Sequence, residues 1–153
     1  MKETMREQRK GGFLISKIHQ LSQRIFAKIL KEHNLEEFNP AQGRIMFTLW
    51  QKDNIPIHEL VENTLYSKST LTSMLDNLEK AGFIERVPSK DDRREILIAL
   101  TDKDRELQDK YVNVSRKMRN LYYHEFNEKE IDDFENYLER ILENLIEFDK
   151  KSN

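Results

Sequence analysis

Apolar residues recur at three- and four-residue steps along most of this chain, and the period changes only near its middle. Leu14, Ile18, Leu21, Ile25 and Ile29 mark an amphipathic helix over about residues 12–33. Asn39-Pro40 starts a second helix, with Asn as cap and Pro at the first helical position. It carries Ile45, Met46, Leu49 and Trp50 inward and is expected to end near Lys52. Ile55-Pro56 is expected to open a short third helix through Ile57, Leu60 and Val61. Ser67 caps a fourth, whose Leu71, Met74, Leu75 and Leu78 share one face, and Gly82 supplies the left-handed stop just beyond it.

Past Gly82 the alternation becomes that of strands. Phe83, Ile84 and Val87 predict a short strand, and Ile96, Ile98 and Leu100 predict a second over Glu95 to Leu100. Between them Pro88 to Arg94 is charged and free of apolar side chains, as suits a hairpin that projects into solvent. A fifth helix, capped by Thr101 or Asp102, runs through Leu107, Tyr111, Val114, Met118 and Leu121. A sixth starts near Asn127, where Asn127 and Glu130 have capping-box spacing, and carries Ile131, Phe134, Leu138, Ile141, Leu142 and Leu145. The fold class is therefore mainly α with a small β-hairpin. The two terminal helical regions hold more apolar stripe than a small central domain can cover, which points to a dimer interface.

Composition narrows the field. With 35% charged and 37% hydrophobic residues in 153, the core of each protomer is thin. The absence of cysteine excludes disulfides, thiolate zinc sites and thiol redox sensing. His19, His33, His58 and His124 are scattered without chelating spacing, so no metal site and no cofactor is expected. No phosphate-binding glycine loop or hydrolase motif occurs, and no enzymatic activity is expected. The apolar runs are too short for a membrane span and Met1 to Lys10 lacks a signal core, which suggests a cytoplasmic location with no membrane partner. The net charge of −2 disfavours a non-specific nucleic-acid binder but leaves a specific one open, because the charge is unevenly placed. Lys17, Arg24, Lys28 and Lys31 make the first helix basic, whereas the last is dominated by Asp and Glu.

The third and fourth helices read as a helix-turn-helix, packed through Ile57, Leu60, Val61, Leu71, Leu75 and Leu78. That packing leaves Lys68, Ser69, Thr70, Thr72, Ser73 and Asn77 on or near the outer face. Short hydroxyl and amide side chains with a lysine are the groups that hydrogen-bond base edges and phosphates in a major groove. At the hairpin tip, Lys90, Asp91, Asp92, Arg93 and Arg94 offer an arginine suited to a narrow minor groove. Asp92 is placed to hold the Arg94 guanidinium in a bidentate pair.

The run Asp92-Arg93-Arg94-Glu95-Ile96-Leu97-Ile98-Ala99-Leu100-Thr101 resembles the wing of the MarR family of bacterial regulators, an Asp-x-Arg followed by an apolar–x–Leu–Thr strand end. Upstream, Ser67 to Arg86, with Leu78-Glu-x-x-Gly82 and Ile84-Glu-Arg86, is similar to that family's recognition helix and first wing strand. The likeness extends over about residues 12–148. It implies a single MarR-type domain over 1–153, with dimerisation helices at 12–35 and 102–149 around a winged helix-turn-helix core at 40–101. The recognition helix would span about 67–81 and the wing about 83–101.

The resemblance further implies a homodimer that binds double-stranded operator DNA of pseudo-palindromic sequence, usually as a repressor. DNA contacts would fall to Lys68, Ser69, Thr70, Thr72, Ser73, Asn77, Lys90, Asp92, Arg93 and Arg94. A small aromatic or anionic effector would occupy a pocket drawing on Ile18, His19, Met46, Trp50 and Tyr111. Two departures stand out: Ser73 replaces a base-reading Arg common in the family, and Asp104 replaces a frequent Gly after the Leu-Thr. Two other readings of the same residues remain open. One is a winged-helix protein–protein adaptor, which the balanced charge of the recognition region allows, and the other is a ligand-binding dimer without DNA binding.

Overall fold

A computed structural model describes residues 2, 4–36 and 38–152. Among them lie six α-helices and a three-stranded antiparallel sheet. The chain divides into two compact units, residues 1–114 and 115–153.

In the first unit, α1 (Gly11–Glu32) ends where Asn34 turns left-handed and Leu35 donates its N–H to the Leu30 carbonyl at 2.8 Å. The next helix, α2 (Pro40–Gln51), begins with a capping box. Asn39 Oδ1 accepts from the Gln42 N–H at 2.8 Å, and Gln42 Oε1 accepts from the Asn39 N–H at 3.1 Å.

The third helix does not start at Ile55. Ile55–Pro56 form a strand, β1, paired with β3 (Ile96–Leu100) in the register Ile55 to Ile98. The order is β1-β3-β2, which puts Pro56 on an edge strand, where its missing N–H costs no ladder bond. Ile55 is fully buried, so its apolar side chain closes the sheet onto the helices. Only then does α3 (Ile57–Thr64) begin.

Leu65 adopts a left-handed φ of 61° and leads into α4 (Lys68–Lys80), capped by Ser67 through the Thr70 N–H. Gly82 ends α4 with φ of 86°. Its N–H meets the Glu79 carbonyl, while that of Phe83 meets the Leu78 carbonyl, which is the Schellman pairing. The strand β2 (Ile84–Pro88) follows and pairs with β3 from Ile84–Leu100 to Pro88–Ile96.

The expected cap of the fifth helix also shifts. Helix α5 (Asp104–Tyr122) begins one or two residues later than a cap at Thr101 or Asp102 would place it. Thr101 Oγ1 instead donates to the Gly82 carbonyl, and its N–H donates to the Phe83 carbonyl, so this threonine ties the hairpin base to the end of α4. The core of the unit is built on Ile45, Met46, Leu49, Leu60, Leu71, Leu75 and Ile98, all fully buried.

In the second unit, α6 (Glu128–Ser152) opens on the expected capping box, with Asn127 and Glu130 exchanging bonds of 2.8 and 3.0 Å. Tyr123 packs edge-on against Phe126 and Phe134. No residue of α6 is buried, and Leu138, Ile141, Leu142, Leu145 and Phe148 stand exposed.

Candidate nucleic-acid interface

The fourth helix buries Leu71, Leu75 and Leu78, and helical periodicity sets Ser69, Ser73, Asp76 and Lys80 on the opposite face. Lys68, Ser73 and Asn77 are exposed, with no side-chain hydrogen bond among the described residues. The hydroxyls near the helix start are differently engaged. Ser67 Oγ donates to Thr70 Oγ1 at 2.9 Å and lies 3.3 Å from Ser69 Oγ. Thr72 is half-buried, and its hydroxyl donates back to the Lys68 carbonyl at 2.8 Å. Of the six helix positions, Lys68, Ser73 and Asn77 are thus the freest to meet another molecule.

Five hydrogen bonds shape the wing tip. Ser89, buried at the root, closes the loop by donating its N–H to the Glu95 carbonyl at 2.9 Å. Its Oγ accepts from the N–H groups of Asp91 and Asp92 at 3.3 and 3.5 Å. The Glu95 N–H returns to the Asp92 carbonyl at 3.0 Å. Asp92 Oδ1 accepts the Arg94 N–H at 3.0 Å. A loop tied in this way presents Lys90, Arg93 and Arg94 to solvent at low entropic cost.

The expected bidentate Asp92–Arg94 pair does not form. Only Arg94 Nε approaches Asp92, at 3.5 Å, because Oδ1 is already holding the Arg94 backbone. The Arg94 side chain remains 94% exposed. Asp92 therefore orders the turn beneath the arginine more than it grips the guanidinium.

Sequence reasoning missed the residue that joins the two halves of this surface. Arg86 on β2 reaches α4 with both ends of its fork: Nη2 lies 2.8 Å from Asp76 Oδ1 and Nη1 2.9 Å from Glu79 Oε1. The backbone N–H of Arg86 also donates to Glu79 Oε2, at 3.2 Å. The three residues are visible in the sequence as opposite charges, but seven- and ten-residue separations across a turn carry no periodic signal.

The five residues of the expected effector pocket are differently placed. Ile18 and His19 are exposed on α1, and Met46 is sealed in the core. Trp50 and Tyr111 do meet, with ring centroids 4.9 Å apart, and Tyr111 also packs against Phe26 and Phe38. Burial pushes the Tyr111 phenol up to about 12. Trp50 Nε1 donates to both oxygens of Asp104, at 2.9 and 3.1 Å. Asp104 is only 4% exposed, and that burial raises its carboxyl above the ordinary 3.8 although the indole bond opposes the shift.

A cavity of about 190 Å³ opens instead beside the end of α4. Asn34, Leu35, Phe38, Phe83, Lys103, Glu106, Leu107 and Lys110 line it, and none of the five is among them. Lys103 Nζ lies 2.6 Å from the Ala81 carbonyl at the α4 C-terminus and 5.0 Å from the centre of the Phe83 ring. Among the described residues no cluster of three His, Asp or Glu could hold a metal ion, and no helix is long and apolar enough to cross a membrane.

Residues 38–96, which hold the helix-turn-helix and the wing as far as β3, match the MarR family model. The winged core belongs to the MarR family. Members of this family are transcriptional regulators and not enzymes. The HTH-type transcriptional regulator TtmR of Methylorubrum extorquens is 30% identical over 87 residues, 57% of this chain and 43% of its own length. The chain thus spans less than half the length of that regulator. The regulator PecS of Dickeya dadantii is 29% identical over 135 residues, covering 86% of this chain and 80% of PecS. A solved complex of a mutant MarR from E. coli with operator DNA superposes at a TM-score of 0.77 and 22% identity, covering 92% of this chain and 99% of that one.

Proposed function

We propose that this chain is a cytoplasmic, sequence-specific regulator of transcription that binds double-stranded operator DNA as a homodimer and represses. The observation that carries this reading is the pairing of exposed, unengaged polar side chains on α4, Lys68, Ser73 and Asn77, with a hydrogen-bonded wing that holds Arg94 almost wholly in solvent. An ordered loop that ends in a solvent-exposed guanidinium, held only loosely by Asp92, is suited to a narrow minor groove. A helix edged with hydroxyl and amide groups is suited to the adjacent major groove. In this reading Thr70 and Ser69 contact phosphate through the start of α4, Lys90 and Arg93 neutralise phosphates along the flank, and Asp92 fixes the turn.

The second subunit is a further copy of this chain. Its support is the unburied apolar stripe of α6 and the exposed Phe13, Leu14, Ile18 and Leu21 of α1, more apolar surface than a solitary protomer ordinarily leaves in water. Release by a small aromatic or anionic effector completes the proposal. The 190 Å³ cavity offers such a molecule the rings of Phe38 and Phe83 and the ammonium groups of Lys103 and Lys110. Drawing Lys103 away from the Ala81 carbonyl would loosen the end of the recognition helix.

The test is a fluorescence-anisotropy titration against duplex DNA from upstream of the protein's own coding region, with scrambled duplex as control and several salt concentrations. Selective binding at two protomers per site, weakening steeply with salt, is the expected result. Arg94→Ala should cost about 1–3 kcal/mol of that binding. Equal, weak binding to every duplex in a random-sequence selection would sink the reading.

A further inference from the structure

We propose that Arg86 is the positioning residue that locks the wing to the recognition helix, so that major-groove and minor-groove contacts form as one unit. The inference rests on the DNA-binding reading for its functional meaning, but its structural content stands on the geometry alone. Only Ala81, Gly82 and Phe83 separate α4 from β2, and the pairing of β3 with β1 ties the hairpin to the α3 side and not to α4, so this short junction is the pivot between wing and recognition helix. Both Thr101 bonds, to Gly82 and Phe83, lie at the pivot itself and have no lever arm against rotation of the hairpin. Arg86 lies three residues farther out, about 10 Å along an extended strand. From there it spans two carboxylates one helical turn apart, while Glu79 also holds its backbone N–H. A planar fork holds both contacts in fixed directions, whereas an ammonium on a flexible stem can satisfy the charges without fixing the orientation of the strand.

A second role has to be separated from this one. Asp76 shares the outer face of α4 with Ser69 and Ser73, so Arg86 also masks a charge that would repel phosphate. The two roles make opposite predictions. If masking were all, Arg86→Lys would preserve DNA binding, and Glu79→Gln would tighten it by removing an acid. If positioning dominates, both substitutions uncouple wing from helix.

The chain has no cysteine, so Ser73→Cys and Lys90→Cys can be spin-labelled together without background. Pulsed electron resonance on labelled protein, diluted with unlabelled protein, then reads the distance between recognition helix and wing tip. We expect a single narrow distribution with Arg86 present and a broad one in Arg86→Lys and Glu79→Gln, each with unchanged helicity by circular dichroism. A distribution that stays narrow in both variants overturns the proposal, whether or not the protein binds DNA.

The second measurement uses the selected operator duplex with and without its flanking steps. The parent should gain about tenfold in affinity from the flank, the scale of one groove-reading arginine. Arg86→Lys and Glu79→Gln should lose that gain yet bind the short duplex within about twofold of the parent. Tighter binding of Glu79→Gln to both duplexes, or an undiminished flank gain in both variants, overturns the proposal. If the parent itself selects no duplex, the regulator reading falls, and the distance measurement alone judges the clamp.

Discussion

Helices α4 and α6 are both amphipathic, yet they end in opposite circumstances. The 13 residues of α4 bury Leu71, Leu75 and Leu78 within the first unit and show a polar face to solvent. The 25 residues of α6 carry a longer apolar stripe and bury none of it. Periodicity states that a helix has an apolar side, but not whether the same chain supplies the surface that covers it. For α4, α2, α3 and the sheet are at hand within 60 residues of sequence; for α6 the cover is left, in our reading, to a second copy. The contrast divides stability into a part fixed by one chain and a part that depends on protein concentration.

The largest effect expected from breaking this contrast is in the core. Leu75→Ala, at a fully buried site, should lower stability by about 2–5 kcal/mol, with a denaturation midpoint that does not move with protein concentration. Leu145, 63% exposed, should behave the other way. Leu145→Asp together with Ile141→Asp should leave the first unit folded while halving the mass measured by analytical ultracentrifugation. A variant that stays dimeric would show that α6 is not the seam.

Next in size is crowding where α2 meets α5. A Cβ on Gly43 would stand 2.5 Å from the Tyr111 Oη, so Gly43→Ala should cost about 1–3 kcal/mol. Adding Tyr111→Phe removes the hydroxyl and should recover much of the loss in urea denaturation, because the next ring atom lies at 3.3 Å.

The Trp50–Asp104 bond sharpens the comparison through pH. Asp104→Ala strands the indole N–H and should cost about 1–3 kcal/mol, whereas Asp104→Asn retains an acceptor and should cost less. Because the folded-state carboxyl titrates above its ordinary value, the folded protein holds this proton more tightly than the unfolded chain. The contribution of this group to stability should therefore be greatest below pH 3.8 and decline as pH rises through the elevated folded value. Denaturation followed by the fluorescence of the single tryptophan should show that slope flattened in Asp104→Asn.

The smallest effect is expected at Leu65, a 60% exposed leucine with φ of 61° between the two helices of the helix-turn-helix. Leu65→Gly relieves a left-handed conformation at the cost of a more flexible unfolded chain, for a net gain of about 1 kcal/mol or less. A loss on substitution would mean that the exposed side chain has a packing role in this otherwise polar turn.

Much of the fold was legible because its signals are local. The caps at Asn39, Ser67 and Asn127 and the stop at Gly82 each depend on residues within five positions, and each forms as read. The strand β1 was not legible, since two residues carry no period and their pairing partner lies 43 positions away at Ile98. Asp104 was hidden for the same reason: the acceptor of the Trp50 indole lies 54 residues downstream. At the wing, the charged tip could be read from composition, but the division of labour between Asp92 and Arg94 could not. That depends on which donor, backbone or guanidinium, takes Oδ1 first.

The sequence by itself determined the helices, the caps at Asn39, Ser67 and Asn127, the hairpin and the kind of side chain on each face, because hydrogen bonds and steric limits act over a few residues. Only the tertiary structure decided which charges remain free. Arg86 is drawn into pairs with Asp76 and Glu79 across the α4–β2 turn, while Lys68, Lys90, Arg93 and Arg94 are left facing water. Electrostatic pairing depends on distance through space, and that distance is set by the folding back of the hairpin and not by position along the chain.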